Sequence, residues 1–464
     1  MLKDKIHFEI SERKMILHLV DIFCVFIALY AVGYFFELAY LKETVSNLVY
    51  LTVFLFYLKV VGTIFELYNL QVASNEFQVT KSAILTVTIS VLAYFLTPIY
   101  SPELPKNRLQ ILTFLGVVFF SLVLWRVFYV RFLASNRFHQ NALLLCDEDQ
   151  LEELILGLAN IDPHYKIIAY VNNSENTDIA NQFYSYVEKV SPENLVAFVK
   201  NKNITEIVIA NRKTDRIAAK IYPQLLQLLE SGKVIKEYSQ LYEEKTQRIP
   251  MLYVESDFYG FFPFSRSNQN HLYLLIVRTF EIVISIIGLC ITVFLIPIII
   301  LGNAFGNKGS LFYTQERVGK NGVVFQILKF RTMIQNAELE KALFATTNDR
   351  RITAFGKFMR KTRIDEFPQF VNILKGDMAV IGPRPERPFF VKEIAKRMPF
   401  YETRHAIKPG LTGWAQVNYS YGETIEESLI KLQYDLYYIK HRSFYLDFSI
   451  ALKTITTILF YRGQ

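Results

Sequence analysis

Two adjacent carboxylates, Asp365 and Glu366, stand in a strongly basic stretch of the carboxyl-terminal third of the chain. Five cations precede them: Arg351, Lys357, Arg360, Lys361 and Arg363. Positive surroundings keep a carboxylate ionised, and an ionised carboxylate can act as a nucleophile or as a metal ligand. The same residues would also suit a solvated helix end with surface ion pairs, so spacing alone leaves both interpretations open.

Three further blocks of this third carry cations, and two of them also contain glycine and proline. The first, at 329–333, contains Lys329 and Arg331, and the third spans 408–414. The second consists of Gly382, Pro383, Arg384 and Pro385. Guanidinium groups bind phosphate oxygens in a bidentate manner, and glycine and proline fix the loops so that little entropy is lost on binding. These blocks therefore predict a site for a diphosphate.

Composition indicates a membrane protein with soluble parts. The 464 residues carry a net charge of +8, 52% are hydrophobic and 20% are charged, which disfavours a disordered chain, a nucleic-acid-binding tail and an ordinary soluble enzyme. The three cysteines, Cys24, Cys146 and Cys290, lie far apart, so neither a disulfide framework nor a zinc site is expected.

Four apolar segments near 15–36, 48–65, 84–100 and 109–130 are long enough to cross a membrane as helices. The first lacks a small-residue cleavage site and leads into three more, so we expect it to be retained. Lys3, Lys5, Arg13 and Lys14 precede it, which predicts a cytoplasmic amino terminus. Asp21 and Lys59 lie inside spans, where they would mark a pathway, snorkel or pack.

From 141 to about 242, short apolar runs alternate with helical stretches, which predicts a parallel α/β domain. The runs are 142–146, 166–171, 206–210 and 233–237, and the helices include 149–158 and 215–230. The first strand leads into Asp147, Glu148 and Asp149 with no glycine, which would repel a pyrophosphate. We therefore expect a degenerate Rossmann-like domain with a structural or regulatory role.

A fifth apolar run, 282–301, is uncharged over 20 residues and contains Pro297. Proline removes a helix hydrogen bond, so we expect the helix to kink or break near 295–297. Positive charge flanks the run on both sides, which favours a re-entrant helical hairpin, although a plain fifth span remains an alternative. Apolar residues at 355–374 and 444–461 predict helices that lie in the membrane interface or pack in a core.

The blocks from Gly309 onwards resemble the bacterial sugar transferases, also called monotopic phosphoglycosyl transferases. The whole layout resembles the large form of that family, which starts capsule, exopolysaccharide or O-antigen synthesis. The resemblance implies a four-helix transmembrane bundle (1–137), a cytoplasmic α/β domain (138–250) and a mostly helical transferase domain (251–464) with a re-entrant helix at about 278–303. It also implies a bacterial inner membrane location with the catalytic domain facing the cytoplasm.

The same resemblance implies a reaction. Asp365 would attack the sugar-bearing phosphorus of a UDP-sugar and release UMP, and undecaprenyl phosphate would then take the phosphosugar. Mg²⁺ would be held by Asp365 and Glu366. The resemblance assigns the remaining roles by motif: phosphate contacts to Arg360 and Arg384, the lining of the site to Lys329 and Arg331, nucleotide binding to Gly382, Pro383, Arg384 and Pro385, and the helix break to Pro297.

Two departures from the family pattern are visible. Arg350 replaces a proline common before Ile-Thr, and Tyr419, Ser420, Tyr421 and Gly422 stand where many members have glycine and a basic residue. The second puts the sugar in doubt; glucose or galactose is our expectation. We also expect membrane lipids as partners, no nucleic acid, and a homodimer through the α/β domain or the carboxyl-terminal helix.

Two other functions compete with this hypothesis. A membrane-anchored nucleotide-sugar dehydratase would need a glycine-rich dinucleotide turn, which this sequence lacks. A non-catalytic scaffold for polysaccharide assembly would use the α/β domain as a regulatory surface, and the mutation of Asp365 would then leave polymer output intact.

Overall fold

The computed structural model describes residues 10–36, 45–73, 76–97, 101, 109–133, 140–147, 150–158, 165–172, 187–210, 221–250, 265–307, 309–334, 351–419 and 424–459. The chain forms two compact units, Met1–Thr246 and Gln247–Gln464. The boundary lies four residues before the one expected at 250/251. The departures at 350 and 420–422 and the cations at 3 and 5 lie outside the described residues.

The first unit begins with long apolar helices, which are α1 (Ile10–Phe35), α2 (Val45–Ile64), α4 (Glu76–Leu96) and α5 (Leu109–Phe128). A short helix, α3 (Leu70–Ala73), lies between α2 and α4 in the chain. The third predicted span is wrong at its start, because α4 begins eight residues earlier, at Glu76. Its first turns contain the charged residues Glu76 and Lys81, so hydropathy alone does not show that the helix includes them. The buried core joins apolar residues of all four long helices.

An ion pair lies inside this bundle. Asp21 on α1 and Arg126 on α5 are fully buried, with 2.5 Å between Asp21 Oδ2 and Arg126 Nη2. Tyr68 lies beneath the guanidinium, 5.3 Å from ring centroid to Arg126 Cζ, and His18 stacks on Tyr68. The charge of Asp21 is therefore neutralised by an ion pair packed between helices, and packing is one of the three roles left open by the sequence.

The α/β part of the first unit confirms the predicted alternation. It contains β1 (Gln140–Cys146), α6 (Leu151–Leu158), β2 (Tyr165–Asn172), β3 (Glu188–Lys189), α7 (Leu195–Asn201), β4 (Glu206–Ile209), α8 (Tyr222–Glu230), β5 (Val234–Glu237) and α9 (Tyr238–Thr246). All strand pairs are parallel, and the order is β3-β2-β1-β4-β5. Buried leucine, isoleucine and valine side chains on both faces explain the near-continuous apolar runs.

The second unit is mostly helical, with two small sheets. Its elements are α10 (His271–Gly306), β6 (Phe312–Val318), β7 (Val324–Phe330), α11 (Ala354–Lys361), α12 (Phe370–Lys375), β8 (Ala379–Ile381), α13 (Pro388–Arg397), β9 (Gly410–Thr412), α14 (Trp414–Asn418), α15 (Ile425–His441) and α16 (Phe444–Leu459). Strands β6 and β7 form an antiparallel hairpin, whereas β8 and β9 pair in parallel. Two 3₁₀ segments, Ile364–Gln369 and Pro399–Ala406, connect these elements.

We expected a kink or a break at 295–297. The break is wrong, because α10 continues as one helix of 36 residues through Pro297, whereas the kink stays a prediction. Apolar helices tolerate an internal proline where neighbouring groups satisfy the freed backbone. In the described part of the chain, four helices are long and apolar enough to cross a membrane: Glu12–Phe35, Glu76–Leu96, Leu109–Phe132 and His271–Gly306. The second predicted span, 48–65, corresponds to α2 (Val45–Ile64, 20 residues), whose part from Leu48 to Ile64 is an apolar helix. Whether α10 crosses the bilayer or re-enters stays a prediction.

One face of α10 packs against the rest of the second unit. Its buried or closely packed positions recur at intervals of three, four or seven residues, which keep to one side of a helix: Glu281, Ser285, Gly288, Thr292, Ile299, Gly302 and Gly306. A Cβ atom on Gly288 would lie 2.4 Å from the ring of Phe370, and one on Gly302 would lie 2.2 Å from the ring of Phe355. Glycine is thus required for these two aromatic rings to reach the helix surface. Phe355 and Phe370, expected at a membrane interface or core, pack on α10, whereas Phe358 is exposed.

Candidate active site

The two carboxylates lie in the 3₁₀ segment that follows α11. Arg363, immediately before this segment, has a left-handed backbone with φ of 58°. A non-glycine residue pays about 1–2 kcal/mol for this conformation, which here turns the chain sharply from α11 into the segment. Asp365 and Glu366 are both buried, with 7% and 8% of their surfaces exposed.

Glu366 is the carboxylate that holds the cations. Its Oε1 atom lies 2.9 Å from Arg384 Nη2, 3.2 Å from Lys329 Nζ and 3.7 Å from Arg363 Nη1. Burial alone would raise the pKa of Glu366, but Lys329, Arg384 and Arg363 hold this pKa well below its usual range. Glu366 is therefore ionised throughout the physiological pH range.

Asp365 has the opposite character. Burial, with a further contribution from the charge of Glu366, raises the pKa of Asp365 to about 6, although Lys329, Arg360 and Arg363 oppose the change. Its Oδ1 atom is buried and has no hydrogen-bond partner in the described part of the chain. The pKa of Asp365 is thus raised, although the cations oppose this change as expected from the sequence, and its Oδ1 atom is an acceptor that the described residues do not use.

Lys329 is positioned by the β6–β7 hairpin, where it pairs with Tyr313. The side chain of Asn372 on α12 extends the edge of β7, accepting from Leu328 N at 3.0 Å and donating to Gln326 O at 2.8 Å. Burial lowers the pKa of Lys329, while Glu366 partly offsets this change. The hairpin and α12 therefore fix the amine beside the carboxylate pair.

Arg384 is delivered by the loop of Gly382, Pro383, Arg384 and Pro385. Gly382 N donates to Thr412 O at 2.9 Å, and Gly410 N donates to Pro383 O at 2.8 Å. A Cβ atom on Gly410 would lie 2.1 Å from Gly382 N, and one on Gly413 would lie 2.2 Å from Gly382 O. The blocks at 382–385 and 408–414 thus form one unit, in which glycine permits direct backbone contact.

The structure does not bring every predicted site residue to the carboxylates in the same way. Arg360 interacts with Asp365 through its charge, while its Nε donates to Thr332 Oγ1 at 2.9 Å. Arg331 Nε instead donates to Ser310 O at 3.0 Å, and its guanidinium lies over the ring of Tyr313. Pro297 lies within α10. The substrate contacts of these residues stay predictions.

Several residues that shape the site were not predicted as site residues. Arg363 contacts Glu366 directly, and the partly buried Arg317 and the buried Arg404 bind the backbone of the Arg384 loop. Asn372 supports Lys329. Arg363 precedes the carboxylates by two residues, which is a usable signal, but the other three lie 49, 39 and 7 residues from Asp365 or Glu366 with no local pattern.

Comparison with known proteins agrees with the architecture of the second unit. Residues 272–461 match the family model described as bacterial sugar transferase. A protein of Bacillus subtilis (strain 168), named as a putative undecaprenyl-phosphate N-acetylgalactosaminyl 1-phosphate transferase, is 43% identical over 141 residues, which are 30% of this chain and 79% of the relative. The chain belongs to the bacterial sugar transferase family.

Two further relatives are also similar to this chain. The UDP-N-acetylgalactosamine-undecaprenyl-phosphate N-acetylgalactosaminephosphotransferase of Aeromonas hydrophila is 50% identical over 153 residues, which are 33% of this chain and 36% of the relative. The UDP-glucose:undecaprenyl-phosphate glucose-1-phosphate transferase of Xanthomonas campestris pv. campestris is 30% identical over 308 residues, 63% of this chain and 61% of the relative. The matches thus span less than two thirds of these two relatives.

Proposed function

We propose that this membrane protein transfers a sugar 1-phosphate from a UDP-sugar to undecaprenyl phosphate at the cytoplasmic face of the bacterial inner membrane, as the first membrane step of a polysaccharide pathway. The observation that carries this proposal is the difference between the surroundings of the two carboxylates. Glu366 forms the ion pairs with the cations, whereas a buried oxygen of Asp365 has no hydrogen-bond partner in the described residues. The names of the relatives support the two substrates.

In the proposed first step, a carboxylate oxygen of Asp365 forms a bond to the sugar-bearing phosphorus, and the bond from that phosphorus to the UMP oxygen breaks. UMP leaves with the electron pair of that bond, and the sugar phosphate stays on Asp365. In the second step, a phosphate oxygen of undecaprenyl phosphate attacks the same phosphorus. The bond to Asp365 breaks, the carboxylate is regenerated, and undecaprenyl diphosphate sugar is released.

The cations around Glu366 support the first step electrostatically. Lys329 and Arg384 lie within 3.2 Å of Glu366 Oε1, so their positive charge is fixed beside the reacting carboxylate before substrate binds. Preorganised charge of this kind stabilises the charge that develops on phosphate oxygens in the transition state. Burial of the pair strengthens these interactions because water screens them less.

The donor set of the site fits a divalent cation of the Mg²⁺ type. The unpartnered Oδ1 of Asp365 would bind it, with Glu366 as the second carboxylate, and bound Mg²⁺ would neutralise charge on the diphosphate. No cluster of three or more His, Cys, Asp or Glu side chains suited to a metal occurs among the described residues. Substrate phosphate oxygens and water would therefore complete the coordination.

The sugar is the least constrained part of the proposal. N-acetylgalactosamine is named for the relatives with 50% and 43% identity, whereas glucose is named for the relative with 30% identity. We therefore propose UDP-N-acetylgalactosamine as the first donor to test. UDP-glucose and UDP-galactose, expected from the sequence, are the second choice.

The experiment uses the purified full chain in lipid or detergent with Mg²⁺ and undecaprenyl phosphate. A panel of UDP-sugars is supplied one at a time, and UMP and the lipid product are measured for wild type and Asp365→Asn. We expect both products from one donor, no UMP beyond about one equivalent per protein when undecaprenyl phosphate is left out, and neither product in the variant. If no donor yields UMP, or if the variant is as active as wild type, the proposal fails and the scaffold hypothesis replaces it.

A further inference from the structure

The loop that carries Arg384 is held by its carbonyl groups. Four successive carbonyls each accept a hydrogen bond: Pro383 O from Gly410 N (2.8 Å), Arg384 O from Arg404 Nη2 (2.9 Å), Pro385 O from Arg317 Nη1 (3.0 Å) and Glu386 O from Val318 N (2.9 Å). Two prolines remove backbone donors from the same loop, so it cannot be held by a strand or helix ladder. Its geometry depends on these outside donors.

Arg404 is the most deeply anchored of these donors. Besides Arg384 O, its Nη2 lies 2.7 Å from Oδ2 of Asp435 on α15, and its Nη1 donates to the hydroxyl of Tyr401. Arg404, Asp435 and Tyr401 have at most 5% of their surfaces exposed. The guanidinium of Arg404 therefore donates to three acceptors of the protein itself, which are Arg384 O, Asp435 Oδ2 and the hydroxyl of Tyr401. In this it differs from a guanidinium that binds a substrate phosphate.

The contacts form a continuous path from α15 to the active site. Asp435 binds Arg404, Arg404 binds the backbone of Arg384, and the side chain of Arg384 binds Glu366 across 2.9 Å. The backbone position of Arg384 determines the position of its guanidinium. A displacement of about 1 Å in such a site can reduce the rate about a hundredfold. The side chain of Arg384 is itself about one third exposed, so its own packing does not fix it.

We infer that Arg404, held by Asp435, is a positioning residue of the proposed reaction and acts through the backbone of Arg384. This inference rests on the proposed function for its kinetic test. The role of Arg404, a cation of the transferase domain, is thus other than phosphate binding.

The test is a double-mutant cycle with Arg404→Lys and Arg384→Gln in the full-length protein. Lysine keeps the charge but cannot reach Asp435, Tyr401 and the carbonyl together. We expect Arg404→Lys to lower kcat about 10- to 100-fold with KM for the UDP-sugar changed less than about threefold. In the Arg384→Gln background the same change should lower kcat less than about threefold.

If the two effects multiply, or if Arg404→Lys mainly raises KM, Arg404 acts on the substrate independently and the inference is overturned. Arg397→Lys is the matched control, because Arg397 is an exposed arginine in the last turn of α13. This control should leave kcat and KM unchanged. Asp435→Asn supplies a second variant, with the same direction of change, should Arg404→Lys fail to fold.

Hydrogen exchange gives a readout that does not need activity. The amides of Gly382 and Gly410 bond to Thr412 O and Pro383 O, so their exchange reports on the loop. We expect Arg404→Lys to speed their exchange at least about tenfold, and Arg397→Lys to leave it unchanged. Unchanged exchange in Arg404→Lys would overturn the inference. Absence of UMP release by wild type would instead overturn the proposed function, so the two failures are distinguishable.

Discussion

Arg384 Nη2 donates to Glu366 Oε1 across 2.9 Å, and this contact directs the positive charge of the site to Glu366 instead of Asp365. Lys329 reinforces the arrangement from the β7 strand. Burial, with a contribution from the charge of Glu366, raises the pKa of the neighbouring Asp365, and its Oδ1 atom has no hydrogen-bond partner among the described residues. Two adjacent carboxylates in different environments are suited to different roles; in the proposed reaction Glu366 is the electrostatic anchor and Asp365 is the reacting group.

The pKa of Asp365 near 6 predicts the pH dependence of the reaction. Below pH 6 the carboxyl group is protonated and cannot attack, so kcat/KM should fall about tenfold per pH unit and level off above pH 7. Glu366→Gln should move this limb to lower pH, because the charge of Glu366 raises the pKa of Asp365. A limb that stays in place or moves upward in Glu366→Gln would contradict this assignment.

Burial of ionised Asp365 should reduce stability at neutral pH. Its folded pKa is raised, so the folded state binds more protons than the unfolded state between about pH 4 and 6, and stability falls as pH rises through this window. Asp365→Asn should therefore raise the melting temperature by about 2–5 °C at pH 7.5 and by nothing below pH 4. Glu402→Gln, at an exposed carboxylate, is the control. A lower melting temperature for Asp365→Asn at pH 7.5 would refute the prediction.

Arg363 contributes a left-handed backbone conformation and a positive charge, and two substitutions separate these contributions. Arg363→Gly and Arg363→Ala both remove the guanidinium 3.7 Å from Glu366, but only glycine adopts a φ of 58° without strain. We expect Arg363→Gly to be more stable than Arg363→Ala by about 1 kcal/mol and to retain more activity. Chemical unfolding and kcat/KM of the two variants measure this. Equal stability would mean that the turn does not constrain the segment.

The contact between α10 and Phe355 is too close to accept a larger residue at Gly302. Gly302→Ala would place a Cβ atom 2.2 Å from the ring, so we expect a loss of about 1–3 kcal/mol in stability. Phe355→Leu should restore part of it. Gly116→Ala on α5 meets no atom within 4 Å and should be neutral or slightly stabilising. Thermal unfolding in detergent measures all four proteins, and a neutral Gly302→Ala would show that this face is loosely packed.

Sequence patterns were informative where a local period decides the structure. The buried runs at 142–146 and 206–210 predicted β1 and β4, because parallel strands covered on both faces are continuously apolar. Hydropathy failed at Glu76, where a polar first turn belongs to the helix, and at Pro297, where the local effect of proline did not break α10. The pairing of Asp21 with Arg126 spans 105 residues and leaves no local signal.

The site was predictable to a similar extent. The motifs identified Asp365, Glu366, Lys329 and Arg384, which the structure brings together. They did not distinguish the ionic environments of the two carboxylates, because those depend on which cation reaches which oxygen. Arg404 was missed because two of its partners, the carbonyl of Arg384 and the carboxylate of Asp435, lie 20 and 31 residues away and leave no local pattern.

The most direct test of the account is the mass of the protein after incubation with Mg²⁺ and the preferred UDP-sugar in the absence of undecaprenyl phosphate. The account predicts a gain of one phosphosugar, located by peptide mapping to Asp365, absent from Asp365→Asn, and lost when undecaprenyl phosphate is added. An unmodified Asp365 in a preparation that releases UMP and forms the lipid product, with equal turnover by Asp365→Asn, would contradict it.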